Sequence, residues 1–267
     1  MRAIVDGNGV TRHLAGWKRD KPRLGDRFIS APVGAQPEAA DLYPLAASVP
    51  VYDQGSIGSC AANMGCFMFR YLEAHAGRPV IDLSRMSLYK FVRQVEGTPL
   101  TEDSGAEIRS IMTALRTRGV APEALDPYLD DGHQFTVPPT QGEIIAADAH
   151  KSMFYFRLID LFTVKASILQ GFPIGFGFSV YDGMMSEQAA RTGLVPYPTT
   201  GEPAQGGHAV TITGFDDHKV IAGETGAIRC RNSWGSGWGI SGDFWLSYRY
   251  ITSGLATDFW TIRSAAL

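Results

Sequence analysis

The stretch DQGSIGSCAAN, residues 53–63, places one cysteine directly after a segment rich in glycine and serine. Gly55 and Gly58 disfavour a helix, whereas the residues after Cys60 are apolar enough to form a long buried helix. Ser59 is a suitable N-cap, so Cys60 is predicted to lie in the first helical turn. Two interpretations follow. Cys60 is either a small buried core residue, or a thiol whose anion the helix N-terminus stabilises.

The composition is that of an ordinary globular protein, with 267 residues, 45% hydrophobic residues and 19% charged residues. A net charge of −3 gives no reason to expect nucleic acid or an anionic membrane as a partner. The three cysteines provide no disulfide framework, which favours a reducing compartment, and Cys66 and Cys230 are interpreted as core residues. No secretory signal and no membrane-spanning apolar run is visible. We therefore expect a cytoplasmic protein, or one exported without a standard signal peptide, and no metal or cofactor.

The first half of the chain is predicted to be mainly helical. Residues 1–50 show no sustained periodicity and are interpreted as an extended lead on the surface, or as a partly disordered segment. Three helices are predicted after this lead, over residues 59–75, 84–97 and 104–119. The third starts with Ser104 and Glu107, which have the spacing of a capping box.

After about residue 140 the sequence favours strands, which are rich in β-branched and aromatic residues and separated by glycines. The predicted strands are residues 174–180, 208–215, 227–234, 243–251 and 257–264. A helix over 163–171, with Thr163 as its cap, is the exception. Helices followed by strands indicate an α+β protein with two unlike lobes and a cleft between them.

Three segments are predicted from this pattern. Residues 1–45 form an N-terminal extension, residues 46–140 a helical lobe that carries Cys60, and residues 141–267 a lobe rich in β-structure. No internal repeat or low-complexity tract is visible.

Of the six histidines, His208 has the most suggestive context, because GGHAVTITGF places it after two glycines at the start of a predicted strand. That position suits an exposed face of a cleft, although a lone histidine is more often structural. His218, in DDHK, is interpreted as part of a solvated turn rather than as a metal ligand.

The third stretch, RNSWGSGWGISGDFW at residues 231–245, combines Asn232 with tryptophans and four closely spaced glycines. A catalytic imidazole needs an acceptor that orients its far nitrogen, and a neutral amide oxygen can serve. A tryptophan over that hydrogen bond would exclude water.

These blocks, in this order, resemble papain-like cysteine peptidases of the C1 family. The resemblance rests on Gln54-x5-Cys60, on His208-Ala-Val and on Asn232-Ser-Trp-Gly-x-Gly-Trp-Gly, and it extends from about Pro50 to Trp260. The segments EDSGAEIRSIMTALRTRGVAPEALDPY and LATDFWTI are similar to bacterial members. The resemblance implies a papain-like two-lobe fold, with a helical N-terminal lobe, an antiparallel β-barrel-like C-terminal lobe and the active-site cleft between them.

The same resemblance implies roles for individual residues. Cys60 would be the nucleophile, His208 its proton partner, and Asn232 the residue that orients His208. Gln54 would help to stabilise the oxyanion together with the Cys60 N–H. Trp234 would shield the bond between His208 and Asn232.

Substrate binding is expected around Gly105, Ser104, Gly207 and Trp234. Gly105 resembles the family's glycine that hydrogen-bonds the substrate backbone, although it could equally be an ordinary residue of a first helical turn.

Two positions depart from the family pattern. Ile57 stands where the family has a cysteine, which removes a disulfide partner, and Ala61 stands where it has an aromatic residue. The extension is also short, and it leaves two alternatives open. GWKRDKPRLGDRF, residues 16–28, either passes over the active site and limits access, or packs on the lobes without blocking them.

The function implied by the resemblance is cysteine peptidase activity on a peptide or protein substrate, through an acyl-thioenzyme. One alternative is an amide or acyl transferase that uses the same residues. Another is a catalytically weak peptide-binding protein with the same fold, against which the retention of Gln54, Cys60, His208 and Asn232 argues.

Overall fold

A computed structural model describes residues 3–14, 16–30, 34–43, 45–152 and 154–263 of the chain. Its buried residues form two hydrophobic clusters, one built mainly around the helices and one around the strands. The two clusters confirm the predicted pairing of unlike lobes. Within the described ranges, the helices are all too short or too polar to cross a membrane.

Helices form most of the first lobe, and shorter helices flank the strands of the second lobe. In the described part of the chain they are α1 (Cys60–His75), α2 (Arg85–Glu96), α3 (Ile108–Thr117), α4 (Gln141–Ala147), α5 (Leu161–Leu169), α6 (Asp182–Met185), α7 (Glu187–Thr192) and α8 (Arg249–Thr252), with 3-10 turns at Leu45–Ser48 and Gln134–Thr136.

The strands are concentrated in the second lobe, as predicted. They are β1 (Ala3–Val5), β2 (Thr11–His13), β3 (Trp17–Lys18), β4 (Ala39–Asp41), β5 (Ala106–Glu107), β6 (Phe154–Leu158), β7 (Ile174–Val180), β8 (Leu194–Val195), β9 (Gly206–Ile221), β10 (Glu224–Arg231), β11 (Asp243–Ser247) and β12 (Ala256–Arg263). The predicted strand over 257–264 is thus present, although its last residue lies outside the described ranges.

The large sheet has eight strands in the order β6-β12-β7-β9-β10-β11-β8, with β4 paired to β9. Among the described residues these strands follow an open path, so the expected barrel-like structure is an open sheet rather than a closed barrel. β7 and β9 are antiparallel neighbours at its centre, with Phe178 opposite His208. This pairing brings the start of β9 to the cleft.

Two helices follow their sequence signals closely. Helix α2 begins after Ser84, whose side chain accepts a hydrogen bond from the Ser87 N–H, and ends at Gly97 in the left-handed conformation. Helix α1 is buried from its first residue, Cys60, through Leu72, which matches its apolar sequence. Ser59 precedes α1 but does not cap it through its side chain, because its hydroxyl bonds Tyr128 instead.

Two predicted helix starts were wrong. Helix α3 begins at Ile108, not at 104, because Ala106 and Glu107 are extended and pair with β3 of the N-terminal extension. No capping box forms there. Helix α5 begins after Asp160, which accepts from the Thr163 N–H, so Thr163 lies inside the first turn as the second member of a capping box.

The N-terminal extension runs along the cleft. Strands β1 and β2 form a hairpin, and β3 then lies parallel to β5 of the helical lobe. Further on, Phe28 forms an isolated bridge with Arg157, and β4 joins the large sheet. The predicted extended lead is therefore confirmed for the described part of residues 1–50.

Candidate active site

Cys60 lies at the N-terminus of α1, as predicted. The loop that leads into the helix is fixed from within the same lobe, because the Gly58 N–H donates to both carboxylate oxygens of Asp103 at 3.1 and 2.9 Å. The Ala209 N–H donates to the Cys60 Sγ atom at 3.4 Å. The sulfur therefore lies between the N-terminus of α1 and the beginning of strand β9.

His208 is the residue immediately before Ala209, so one strand carries both the imidazole and the N–H that bonds the sulfur. Its Nε2 atom lies 2.8 Å from the Asn232 Oδ1 atom. That amide oxygen also accepts from the Ser233 N–H at 2.8 Å, which fixes the Asn232 side chain. The hydrogen bond leaves the Nδ1 atom of His208 as the nitrogen available to the thiol.

Trp234 covers this pair of residues. Its ring stacks on the His208 ring with centroids 5.0 Å apart and an interplanar angle of 29°. Trp234 is itself buried and packs edge-on against Trp238. The bond between His208 and Asn232 is therefore kept from water, the shielding that the sequence predicted.

Gln54 lies beside the sulfur loop with both ends of its amide held. Its Nε2 atom donates to the Ile57 carbonyl at 2.9 Å, and its Oε1 atom accepts from the Ser233 hydroxyl at 2.7 Å. One Nε2 hydrogen remains for another acceptor. Because Gln54 is buried and doubly fixed, this donor is oriented before any ligand arrives.

The thiol and the imidazole are both almost fully covered, with 1% of each residue exposed. Burial raises the pKa of the Cys60 thiol to about 12, against which the N–H groups of Ala209 and Ala61 act. Burial also lowers the pKa of His208 to about 4, against which Asn232 acts. In this closed arrangement burial favours the uncharged form of each group.

What covers the sulfur is the N-terminal extension. A Cβ atom at Gly16 would lie 2.5 Å from the Cys60 Sγ atom and 2.8 Å from the Gly58 carbonyl oxygen. The Ala106 N–H donates to the Gly16 carbonyl at 3.0 Å, and the Gly207 N–H donates to the Leu14 carbonyl at 2.7 Å. Only a residue without a side chain fits above the sulfur.

The predicted substrate-binding residues divide into two groups. Gly207 and Trp234 lie at the site, and the Gly207 N–H donates a hydrogen bond to the extension. Gly105 has a φ of 66°, and its N–H donates to the Tyr89 hydroxyl at 3.0 Å, while the Ser104 hydroxyl bonds the Gly105 carbonyl. The next residue, Ala106, supplies the N–H that faces the cleft. Sequence reasoning missed Ala106 because a backbone donor leaves no mark on residue type.

Arg12 and Asp53 were also missed. The Arg12 guanidinium is buried and bonds Asp6 at 2.9 Å, Asp53 at 2.6 Å and the Trp234 carbonyl at 3.3 Å. It therefore ties the β1–β2 hairpin to the residue before Gln54 and to the tryptophan over His208. An arginine in a polar lead gives no signal of this in the sequence.

The remaining candidates lie apart from the site. Cys66 and Cys230 are buried core residues, as predicted, and burial raises the pKa of each thiol. His218 lies 2.8 Å from Glu38 on the surface. The described residues hold no group of three or more histidine, cysteine, aspartate or glutamate side chains with the geometry of a metal site.

Known proteins with similar sequence or structure include peptidases from several kingdoms. A curated viral relative, an uncharacterized peptidase C1-like protein of Acanthamoeba polyphaga mimivirus, is 35% identical over 222 residues, which is 79% of this chain and 68% of that protein. The crystal structure of xylellain, a cysteine protease from Xylella fastidiosa, is similar with a TM-score of 0.85 and 31% identity. The similarity covers 100% of this chain and 99% of that one.

The fold is shared more widely. Procathepsin B from Trypanosoma congolense is similar with a TM-score of 0.71 and 15% identity, over 94% of this chain and 87% of that one. The family described as papain family cysteine protease matches residues 37–261, which include every residue of the site described above except those of the extension. The chain belongs to the papain family of cysteine proteases, and it is a cysteine-type peptidase.

Proposed function

We propose that Cys60, His208, Asn232 and Gln54 hydrolyse peptide bonds through an acyl-thioenzyme, in a cleft that the N-terminal extension holds closed. The observation that carries the proposal is the 2.8 Å contact between His208 Nε2 and Asn232 Oδ1 under Trp234, on the strand whose next residue, Ala209, donates its N–H to the Cys60 sulfur. This arrangement leaves one imidazole nitrogen for the thiol and orients it.

In the acylation step the Cys60 thiol gives its proton to His208, and the sulfur attacks the scissile carbonyl carbon. The C–S bond forms as the carbonyl electron pair moves to oxygen. When that pair returns, the C–N bond breaks, and the leaving amine takes the proton from His208. Water then attacks the thioester and gives its proton to His208, and the acid leaves as the thiol is restored.

The negative charge on the carbonyl oxygen is stabilised by two donors. One is the Gln54 Nε2 hydrogen that Ile57 does not use, and the other is the N–H of Cys60 at the start of α1. The bonds from Gln54 to Ile57 and Ser233 keep the amide in place, so little reorganisation is needed when the charge develops.

The closed cleft supports a regulatory role for residues 3–30. The extension uses the N–H groups of Ala106 and Gly207, which an extended substrate would also need, and it places Gly16 on the sulfur. Burial under the extension favours the neutral thiol, whereas catalysis requires the thiolate. Substrate turnover thus requires the extension to leave this part of the cleft.

The catalytic assignment is tested by intact-mass spectrometry after exposure to a cysteine-directed epoxide peptide, with peptide turnover measured in parallel. Wild type should gain one adduct and hydrolyse peptides, while Cys60→Ala should do neither. Cys66 and Cys230 are present in both proteins and serve as internal controls. An adduct on Cys60→Ala, or undiminished turnover by it, would overturn the assignment.

The regulatory role is tested with two glycines of the extension. Gly16→Ala introduces a Cβ against the sulfur and the Gly58 carbonyl, whereas Gly25→Ala introduces one where no atom lies within 4 Å. An overlap of this kind costs about 1–3 kcal/mol, so kcat/KM of Gly16→Ala should rise about tenfold. Gly25→Ala should behave as wild type. Equal kcat/KM for all three proteins would show that the extension does not limit access.

A further inference from the structure

A single carboxylate holds the loop that leads to the Cys60 thiol. The Gly58 N–H donates to both oxygens of Asp103, and a Cβ at Gly58 would lie 3.0 Å from the Asp103 Oδ1 atom. Glycine at this position therefore lets the loop approach the carboxylate closely. All three cysteines of the chain are free, so the loop is held by hydrogen bonds and not by a disulfide.

The hydroxyl of Tyr89 connects this carboxylate to the segment that bonds backbone groups in the cleft. Tyr89 is fully buried in α2, where it donates to Asp103 and accepts from the Gly105 N–H at 3.0 Å. The next residue, Ala106, supplies the N–H that bonds the Gly16 carbonyl. Asp103 and Tyr89 thus join two parts of the site, the loop before the nucleophile and the start of β5.

The segment that carries Asp103 is anchored to the same helix. Arg93 lies one turn after Tyr89 in α2 and is buried. It donates to the carbonyls of Leu100 and Glu102 at 2.9 and 2.8 Å. Its guanidinium carbon lies 4.2 Å from the centroid of the Tyr89 ring, which is a favourable contact. The position of the carboxylate is therefore set by α2.

The negative charge of Asp103 opposes the reaction. Burial is the main cause that raises the pKa of the Cys60 thiol, and the Asp103 charge raises it further, whereas catalysis requires the thiolate. The titratable groups beside the carboxylate are Tyr89 and the extension's His13, whose Nδ1 atom lies 3.8 Å from Asp103 Oδ2. A role in placing the Gly58 N–H explains this carboxylate, whereas a role through its charge does not.

We propose that Asp103, supported by Tyr89, is a positioning residue for peptide hydrolysis, and that it fixes the loop so that the Cys60 N–H points at the oxyanion. A donor stabilises the oxyanion well only when its direction is set before the charge develops, so a loop that is free to shift lowers kcat. The inference rests on the proposed peptidase function and deepens it by adding a residue that acts through the loop and not on the reacting atoms.

The test measures kcat at saturating peptide, divided by the concentration of protein that an epoxide peptide labels at Cys60. Saturating substrate displaces the extension, and labelling counts only folded protein, so neither opening nor unfolding enters this value. Asp103→Ala should lower it by about 10²-fold, because the oxyanion donor is then misplaced. Asp103→Asn keeps an acceptor for the Gly58 N–H and should stay within about threefold of wild type.

The two substitutions separate position from charge, because both remove the charge and only Asp103→Asn keeps the acceptor. Equal kcat in the two variants would show that Asp103 does not act through the bond to Gly58, and would overturn the inference. Glu102→Ala removes the neighbouring carboxylate, at an exposed residue, and is the matched control that should keep the wild-type kcat.

Tyr89→Phe tests whether the two side chains act as one unit. It removes the hydroxyl that bonds the carboxylate, so kcat should fall by about tenfold. In Asp103→Ala the same change should have little further effect, because the group that Tyr89 bonds is already absent. Tyr71→Phe removes a hydroxyl that bonds the Gly171 carbonyl, and it is the control for loss of a tyrosine hydroxyl.

Two results would overturn the inference while the peptidase function stands. One is wild-type kcat in Asp103→Ala, and the other is a double variant in which the two single losses multiply. Absence of both turnover and Cys60 labelling in the wild-type protein would instead overturn the proposed function itself.

Discussion

Two helix N-termini face the cleft, and they are used in opposite ways. Helix α1 presents the Cys60 thiol at its first residue, whose N–H is the donor that we propose for the substrate oxygen. Helix α3 is already occupied, because the carboxylate of Asp20 in the extension accepts from the Arg109 N–H at 3.1 Å. Both positions favour negative charge. In the function that we propose, the start of α1 takes part in the reaction and the start of α3 holds the segment that covers Cys60.

The two helix starts also differ in how well their sequences describe them. Cys60 follows glycines that end an irregular loop, and its helix begins where these residues indicate. Ser104 and Glu107 carry the signature of a capping box, yet the cap of α3 comes from Asp20, more than 80 residues away in the chain. Local signals predict a helix start when its partners are local, and they fail when another segment supplies the cap.

The largest expected effect lies on the α1 side. His208→Ala removes the group that takes and returns the proton, so kcat/KM should fall by roughly 10⁴- to 10⁶-fold. His218→Ala, at an exposed histidine far from the cleft, should retain wild-type activity. Steady-state hydrolysis of one peptide by the two variants decides the matter. Activity in His208→Ala within tenfold of wild type would show that His208 does not carry the proton for Cys60 at the start of α1.

A smaller loss is expected at the oxyanion donor. Gln54→Ala should lower kcat by about 10²- to 10³-fold with little change in KM, because the donor acts on charge that exists only in the transition state. Ser233→Ala removes the partner of the Gln54 Oε1 atom and keeps the donor, so its kcat should fall far less. If both variants lose kcat equally, Gln54 positions the loop and does not bind the oxyanion.

Asp20, which bonds the start of α3, should make closure of the cleft depend on pH. Burial, followed by the charge of Asp258, raises the pKa of Asp20 from 3.8 to about 6 in the closed form, although Arg109 and Trp260 act against this. The closed form therefore binds the Asp20 proton more tightly than an open one. Closure is strongest below about pH 4 and weakens as pH rises through about 6.

The rate of Cys60 labelling by an epoxide, taken as the ratio of wild type to Asp20→Asn, should accordingly rise about tenfold between pH 4 and pH 7. Taking the ratio cancels the ionisation of the thiol, which is common to both proteins. The partner Asp258 and its neighbour Arg157 are unchanged in the variant. A ratio that is flat with pH would mean that Asp20 does not control closure.

Much of the catalytic side could be predicted from the sequence, because its chemistry requires particular residue types. The nucleophile, imidazole and amide acceptor that we propose, Cys60, His208 and Asn232, could be named from the sequence. In the structure His208 contacts Asn232, and the residue after His208 bonds the Cys60 sulfur. The glycines and tryptophans around Asn232 likewise predicted the shielded hydrogen bond between His208 and Asn232. The boundaries predicted at residues 45 and 140 stay predictions.

The closure could not be predicted in detail, because it depends on backbone groups and on glycines. Ala106 replaces Gly105 as the cleft donor only because the Gly105 N–H turns toward Tyr89. Gly16 lies against the Cys60 sulfur and the Gly58 carbonyl, and Gly207 lies against the Trp17 indole. In each case the contacting atoms come from a distant part of the chain. A sequence shows that a glycine is present but not which atoms need the space.

The account's central claim is that the extension and a substrate exclude each other from one cleft. Amide hydrogen exchange of the fragment covering residues 16–20 tests it directly, before and after an epoxide peptide has modified Cys60. The Asp20 N–H donates to Asp258 at 2.9 Å in the closed form and should be protected. We predict that this protection is lost once the peptide occupies the cleft. Unchanged protection in a fully modified protein would contradict the claim.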